Sequence, residues 1–228
     1  VEFRNVKFEY KEGIPVLKNI SFSVDKGETV AFIGKTGCGK STLMNLLLGF
    51  YEGYEGEILI DGQNIKTLSL ASLRRDIAIV LQEPYLFEGS IFDNIGMGVK
   101  KITKEEAIKY LEAVGGKSII DRDSNGIMQT VSENGKNFSH GERQIICFAR
   151  ALAFNPKVLI LDEATSNIDV ETERLITRGI EVLKKGRTTL IIAHRLETIK
   201  NVDIVYHIKD GIIVEKGKFE DIKEYEIN

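Results

Sequence analysis

Two stretches at the start of the chain alternate apolar and polar residues, which is the pattern of strands buried on one face. They cover residues 1–10 and 16–24 and are separated by a breaker at residues 13–15. A third alternating piece, residues 56–60, is followed by an Asp-Gly pair that is typical of hairpin turns. The pattern therefore predicts an antiparallel β part near the N-terminus.

Elsewhere in the chain the apolar residues form continuous runs instead of alternating. These runs are residues 29–33, 77–81, 158–161, 189–192 and 204–208. Continuous apolar runs of this length are typical of parallel strands that are covered on both faces. We therefore predict a mainly parallel central sheet.

Helical patterns lie between the apolar runs. Residues 103–106, Thr-Lys-Glu-Glu, form a capping box that opens a helix running to about residue 114. Asp169 is placed to cap a second helix that runs to about residue 185. Residues 83–155 contain helices and loops but no convincing strand. We predict that this region is a helical insertion in an α/β domain.

A length of 228 residues suits one well-buried core or two closely associated subdomains. We predict a single domain in which residues 1–82 and 156–228 form the core with its antiparallel β part, and residues 83–155 form the helical subdomain. The charged amphipathic end, from about residue 218, predicts a truncated helix. Because the chain begins at Val1, already in a strand pattern, we expect it to be part of a longer protein.

Composition excludes several classes of function. A net charge of -3, with both signs distributed along the chain, gives no basic surface for nucleic acid. Two cysteines cannot stabilise a chain of this size by disulfides, which favours a reducing cytosolic setting. No apolar run is long enough to cross a bilayer, so we expect any work at a membrane to be done through a partner.

The strongest motif follows the apolar run 29–33 and fits the phosphate-binding pattern G-x-x-x-x-G-K-[ST]. A helix over residues 42–48, stopped by Gly49, is predicted directly after it. Glycines let successive backbone amides converge on phosphate oxygens at the positive end of a helix. The candidate binding residues, which we call the phosphate loop, are Gly34, Lys35, Thr36, Gly37, Cys38, Gly39, Lys40, Ser41 and Thr42.

Within the phosphate loop, Lys40 would supply a positive charge at the outer phosphates and Ser41 a hydroxyl ligand for Mg²⁺. The alternative interpretation is a glycine-rich turn that happens to contain Lys-Ser, but the strand before it and the helix after it favour the functional one. The predicted fold class is accordingly α/β with a P-loop NTPase core.

Two acids end the apolar run at residues 158–161. Asp162 at the mouth of a parallel strand can hold Mg²⁺ beside Ser41, directly or through water. Glu163 is placed to act as the base that polarises a water for attack on the γ-phosphate. An ordinary helix N-cap after a strand is the alternative, and the presence of the phosphate loop favours the functional interpretation.

Over essentially its full length the chain resembles the nucleotide-binding domain of ABC transporters of the exporter type, with the motifs in the order of that family. The resemblance implies that Tyr10 stacks on adenine and that Gln82 reaches the metal and the attacking water. It also implies that His194 is the switch histidine that contacts the γ-phosphate. The implied catalytic residues are thus Glu163, His194, Gln82 and Lys40, and the implied metal ligands are Ser41, Gln82 and Asp162.

Residues 138–142, Phe-Ser-His-Gly-Glu, occupy the position of the family signature, usually L-S-G-G-Q, and we call them the signature segment. The family implies that Ser139 and Gly141 contact ATP held by the opposite subunit. Ser139 and Glu142 form a capping box, although Glu142 adds a negative charge that could repel phosphate unless the capping bond turns it away. His140 adds bulk where the backbone should approach closely. We expect a working site and leave open whether these changes weaken it.

The resemblance implies an Mg²⁺-dependent ATPase that dimerises head to tail around two ATP molecules at the cytoplasmic face of the cell membrane. The implied partners are a second nucleotide-binding domain, identical or different, and a transmembrane domain with coupling helices. Residues 84–95 and 131–135 resemble exporter segments that meet such helices. The side chains of residues 85–87 either line a groove for a partner helix or belong to the core.

The sequence leaves two alternatives open. One is a soluble ABC-type mechanical ATPase, against which stand the single domain and the absence of a basic stripe. The other is a regulatory ABC domain that hydrolyses ATP weakly because of its altered signature segment. Residues 131–139 and 165–167 resemble those of bacterial peptide exporters, with lipid or drug export equally open.

Overall fold

The computed structural model describes residues 1–162, 170–193 and 199–222. The chain divides into two compact units. The first comprises Val1–Ile77, Lys157–Glu163 and Gly186–Asn228, and the second comprises Ala78–Pro156 and Ala164–Lys185. The domain boundaries expected after residues 82 and 155 stay a prediction. Across the described ranges, no helix is both long enough and apolar enough to cross a membrane.

Strands dominate the two ends of the chain, and helices dominate its middle. The strands are β1 (Glu2–Lys11), β2 (Ile14–Ser23), β3 (Thr29–Ile33), β4 (Glu55–Ile60), β5 (Gln63–Asn64), β6 (Ile77–Val80), β7 (Gly89–Ser90), β8 (Thr130–Val131), β9 (Val158–Asp162), β10 (Thr188–Ile192), β11 (Ile204–Lys209) and β12 (Ile212–Gly217). The helices are α1 (Lys40–Leu47), α2 (Leu70–Arg75), α3 (Ile91–Gly96), α4 (Lys104–Ala113), α5 (Lys117–Asp121), α6 (His140–Phe154) and α7 (Val170–Lys184).

The predicted antiparallel part is a sheet with strand order β2-β1-β4-β5. Strand β2 begins at Ile14, two residues earlier than predicted, so that Pro15 lies inside it. A proline is tolerated there because β2 is the edge strand, where a missing N–H need not break the ladder. The hairpin between β4 and β5 turns at Asp61 and Gly62, whose φ angles of 49° and 76° are those of the expected turn.

The main sheet has strand order β12-β11-β3-β10-β9-β6. The first segment of the first unit ends at Ile77, which is the first residue of β6. Strands β11, β3, β10 and β9 are parallel neighbours, and β12 pairs with β11 in the antiparallel sense. Every residue of β3 and β10 is buried. The predicted mainly parallel sheet with an antiparallel β part is therefore confirmed.

Aromatic side chains join the two sheets of the first unit. The ring of Phe22 on β2 lies 5.0 Å from that of Phe32 on β3 and 5.4 Å from that of Tyr206 on β11. Phe32 and Tyr206 stack at 5.5 Å, and the Tyr206 hydroxyl donates to the carbonyl of Ser23 at 2.9 Å. This contact fixes the antiparallel sheet against the strand that leads into the phosphate loop.

The second unit is built mainly from α3 to α7, with α6 packed against α3, α4 and α7. The predicted capping box of α4 is confirmed, since the Thr103 and Glu106 side chains each accept a backbone N–H from the other residue. The expectation that this region holds no strand is wrong, because β7 and β8 pair there. Two residues in each strand are too few to produce an alternating pattern. Asp169, the predicted cap of α7, lies outside the described residues.

Candidate nucleotide site

The phosphate loop follows the end of β3 and runs into the first turn of α1, and it depends on glycine at two positions. At Gly34, φ is 138°, and a Cβ atom would lie 2.1 Å from the carbonyl oxygen of Ile208. At Gly39, φ is 112°, and a Cβ atom would lie 2.7 Å from the Leu17 side chain. A side chain at either position would require a strained backbone and a displaced neighbour. The spacing of the motif is therefore a requirement of the fold.

The N-terminus of α1 is arranged to receive an anion. The first amides of a helix have no intrahelical partner, and here Gly39 provides no capping side chain. No acidic residue lies in the first turn, and the helix dipole adds positive potential at the same point. Helix α1 begins at Lys40, two residues earlier than predicted, which brings its first turn into the phosphate loop. Such an arrangement binds phosphate groups.

Lys40 supplies a buried positive charge beside these amides. Lys40 is only 5% exposed. Its Nζ donates hydrogen bonds to the carbonyl oxygens of Gly34 at 2.5 Å and Lys35 at 3.1 Å. The Sγ atom of Cys38 lies 3.7 Å away. In residues 1–162, 170–193 and 199–222, no carboxylate forms an ion pair with this ammonium. A buried charge is normally paired, so the position favours an anionic ligand.

The carboxyl ends of three parallel strands are level at this edge of the sheet. Ile192 on β10 is paired with Asp162 on β9 and with Phe32 on β3, one residue before the end of β3. Asp162 therefore lies on the same edge as the phosphate loop, two strands away. Ser41 is exposed at the start of α1.

The hydroxyl of Ser41 and the carboxylate of Asp162 are donors that fit Mg²⁺, a hard ion that prefers oxygen ligands. Mg²⁺ commonly takes one or two protein carboxylates and fills the rest of its shell with water and phosphate. The chemistry of these two side chains suits Mg²⁺, and the metal site itself stays a prediction.

Tyr10, the predicted adenine-stacking residue, is linked directly to the phosphate loop. Its hydroxyl lies within hydrogen-bond distance, 3.0 Å, of Oγ1 of Thr42. This contact links β1, which carries Tyr10, to α1, which carries Thr42. The ring is held edge to face by Phe8 and Tyr51, at centroid distances of 4.9 and 5.0 Å. The residue is nevertheless 48% exposed, so much of its surface is accessible to a ligand.

A cleft of about 650 Å³ lies beside the phosphate loop. Most of its lining could not be predicted, because three segments that are far apart in the chain form it: the start of β2, the phosphate loop, and the β11–β12 turn. The Lys18 N–H donates to the carbonyl of Gly211 at 2.9 Å and holds the first and third segments together. The lining residues are Ile14, Pro15, Val16, Lys18, Lys35, Thr36, Gly37, Cys38, Ile208, Lys209, Asp210 and Gly211.

In the second unit, the signature segment leads into α6 with the predicted capping box, which is confirmed. The Ser139 hydroxyl accepts the Glu142 N–H at 3.2 Å, and the Glu142 carboxylate accepts the Ser139 N–H at 2.8 Å. The capping bond thus holds the Glu142 carboxylate against the backbone. His140 Nε2 lies 4.0 Å from a carboxylate oxygen of Glu83.

Gly141 has a packing role that the sequence did not indicate. A Cβ atom at this position would lie 2.2 Å from Cγ2 of Thr172 on α7. Glycine therefore allows α7 to approach the first turn of α6 closely.

The other predicted residues are described only in part. Gln82 is exposed, two residues after the end of β6. Glu163 and His194 lie outside the described residues, so their roles stay predictions. Of the three side chains predicted to line either a groove or the core, Leu86 is fully buried, whereas Tyr85 and Phe87 are 50% and 44% exposed.

The chain matches the family model described as ABC transporter over residues 17–166. It is 50% identical over 226 residues to the probable multidrug resistance ABC transporter ATP-binding/permease protein YheH of Bacillus subtilis, covering 99% of this chain and 34% of that protein. It is 44% identical over 224 residues to the ATP-dependent lipid A-core flippase of Pasteurella multocida, covering 97% of this chain and 38% of that protein.

Among solved structures, a bacterial Atm1-family ABC exporter with ATP bound has a TM-score of 0.89 and 38% sequence identity, covering 96% of this chain and 39% of that one. The chain thus spans only 34% and 38% of the length of the two relatives above. The match of fold and sequence extends over nearly all of the described residues.

Proposed function

The chain belongs to the ABC transporter family, and from this we propose that it is the ATP-binding and ATP-hydrolysing domain of a membrane exporter. The observation that carries the proposal is the phosphate loop, in which the buried ammonium of Lys40 lies at the uncapped N-terminus of α1. The ATP bound to the similar Atm1-family exporter supports ATP as the anion. Tyr10, half exposed and tied to Thr42, would receive the adenine ring.

In this proposal the residues of the chain have separate roles. The amides of the phosphate loop and the Lys40 ammonium bind the β- and γ-phosphates, and Ser41 and Asp162 hold Mg²⁺, with Gln82 as a further ligand. The metal, when bound, neutralises charge on the phosphates. Glu163 accepts a proton from a water whose oxygen attacks the γ-phosphorus, while the bond to the β–γ bridging oxygen breaks. His194 contacts the γ-phosphate.

We propose further that two nucleotide-binding domains enclose two ATP molecules head to tail. Ser139 and Gly141 of one domain contact the γ-phosphate held by the other. ATP then stabilises the closed dimer through contacts that hydrolysis removes, so the dimer opens. This cycle drives a transmembrane partner from the cytoplasmic face of the membrane, and that partner selects the cargo.

The relatives favour this proposal over a soluble mechanical ATPase, because their names describe a multidrug ATP-binding/permease protein and a flippase. The signature segment favours it over a weakly hydrolysing regulatory domain. Its capping box is intact, and the Glu142 carboxylate is bound to the backbone of Ser139.

Replacing Glu163 with glutamine tests the proposal. Loss of the base should lower steady-state ATP turnover by about a hundredfold or more, because positioned bases contribute on that scale. ATP binding should be retained, and a dimer should accumulate in ATP because the bound nucleotide is no longer consumed. Turnover is measured by phosphate release, nucleotide binding with a fluorescent ATP analogue, and the dimer by light scattering after size exclusion.

Glu220→Gln is the matched control, since Glu220 is an exposed acid in the first unit and should behave as wild type. Near-normal turnover in Glu163→Gln would remove Glu163 from the mechanism. Failure of the wild-type chain to bind ATP would reject the proposed function as a whole.

A further inference from the structure

The signature segment departs from the family pattern by placing an acid, Glu142, where the family usually has glutamine. In the proposed dimer this carboxylate lies at a helix N-terminus that faces ATP phosphates, and like charges repel. Both of its oxygens, however, are engaged. Oε2 accepts the Ser139 N–H at 2.8 Å, and Oε1 accepts a hydrogen bond from the Arg122 guanidinium.

Arg122 lies twenty residues earlier in the chain, at the C-terminal end of α5. Its guanidinium forms an ion pair with Glu142 and lies over the ring of Phe138, 5.3 Å from the ring centroid. Phe138 is itself only 3% exposed and so gives the guanidinium a fixed surface. Arg122 therefore contacts two of the five residues of the signature segment.

From these contacts we propose that Arg122 is a positioning residue of the signature segment, and that the Arg122–Glu142 pair takes the place of the usual glutamine. The inference rests on the proposed function. A neutral glutamine and a closed acid–guanidinium pair carry the same net charge. The pair thus keeps the capping bond of α6 without presenting a net negative charge to the ATP of the opposite subunit.

The pair is partly exposed, with side-chain exposures of 41% for Arg122 and 24% for Glu142. An isolated surface pair of this kind contributes little to folding stability. Its effect should be larger in the closed dimer, where the phosphates approach and water is displaced. The consequence of losing Arg122 should therefore appear in dimer-dependent turnover rather than in folding.

The test compares Arg122→Ala, Glu142→Gln and the double variant with the wild-type chain. Arg122→Ala should lower turnover per chain by about tenfold at a fixed, limiting protein concentration, because an unpaired carboxylate then faces the phosphates. It should also raise the ATP concentration for half-maximal turnover, while nucleotide affinity measured at low protein concentration stays the same. The double variant should recover the turnover of Glu142→Gln, since removing the acid removes the need for the cation.

Arg4→Ala is the control, because Arg4 forms an exposed bidentate pair with Glu2 in the first unit, whereas the signature segment belongs to the second. It should have wild-type turnover. Thermal unfolding of each variant shows whether it is folded.

Unchanged turnover in Arg122→Ala would overturn the inference and leave the proposed function intact. A double variant as impaired as Arg122→Ala would also overturn it, because the role of Arg122 would then be packing against Phe138. A wild-type turnover that depends neither on the chain's own concentration nor on an added second nucleotide-binding domain would contradict the proposed dimer and this inference with it.

Discussion

At the scale of single residues, the site depends on its glycines as much as on the residues that carry functional side chains. Gly34 and Gly39 leave room for Ile208 and Leu17, and the loop between them directs its amides and the Lys40 ammonium to one point. Gly141 plays the corresponding part in the signature segment, where it admits Thr172. The two ends of the proposed ATP site therefore share one requirement, a close approach that a Cβ atom would prevent.

Gly141→Ala should destabilise the chain by about 1–3 kcal/mol, the usual effect of overpacking. The new methyl group would lie 2.2 Å from Cγ2 of Thr172, so one helix must shift. Thr172→Ser removes that Cγ2 atom and should restore most of the lost stability in the double variant. Urea unfolding followed by circular dichroism measures the free energies. Equal stabilities of the single and double variants would show that Thr172 is not the obstacle.

At the scale of elements, α6 connects the signature segment to the loop that carries Tyr85 and Phe87. The Arg150 guanidinium on α6 donates to the carbonyl of Tyr85 at 3.0 Å and to the carbonyl and side-chain oxygens of Asn94 at 2.8 and 2.7 Å. The Asn94 amide in turn donates to the carbonyls of Phe87 and Ser90. Burial lowers the pKa of Arg150. Each of the three guanidinium nitrogens donates a hydrogen bond to an oxygen atom. This network fixes the exposed aromatic side chains relative to α6.

Arg150→Met should destabilise the chain by about 2–4 kcal/mol, because it removes the side-chain donor of the Tyr85 and Asn94 carbonyls while keeping a similar apolar stem. The midpoint of urea unfolding measures the change. Arg4→Met, at an exposed arginine that also has oxygen partners, is the control and should leave the midpoint unchanged. A midpoint equal to that of wild type in Arg150→Met would mean that water replaces the lost donors.

The elements that could be predicted from the sequence are those whose formation depends on residues close together in the chain. Strand β3 has the predicted bounds because its five consecutive buried residues end directly at Gly34. The cap of α4 was predictable because both partners lie within one turn. Strands β7 and β8 were not predictable, because two residues acquire a strand conformation only through their pairing partner.

The same distinction applies to the site. The phosphate loop lies in nine consecutive residues, so its pattern was visible. The rest of the cleft comes from the start of β2 and the β11–β12 turn, nearly two hundred positions apart, and the Arg122–Glu142 pair follows no local spacing. Contacts of that kind are set by packing and leave no signal in a single sequence.

At the scale of the whole molecule, the proposed site is complete only in a dimer. Turnover per chain should therefore rise steeply with protein concentration at saturating ATP, since each site needs the signature segment of a second domain. Phosphate release measured over a range of chain concentrations checks this, with the affinity for a fluorescent ATP analogue as the control that should stay constant. A constant rate per chain would favour a site that is complete in the monomer. A rate that rises only when a different nucleotide-binding domain is added would identify a heterodimer.

The order of strands in the main sheet has a consequence for synthesis of the protein on the ribosome. Strand β3, which carries the phosphate loop, lies between β10 and β11, and Thr29 pairs with Thr189. At usual rates of elongation the central strand must wait roughly ten to thirty seconds for its neighbours to be made. During that interval β3 lacks both of the strands that it pairs with in the folded sheet, and unpaired strand edges promote association with other chains. The nascent chain should therefore need its N-terminal antiparallel sheet, or a chaperone, to shield β3 until residue 209 has emerged.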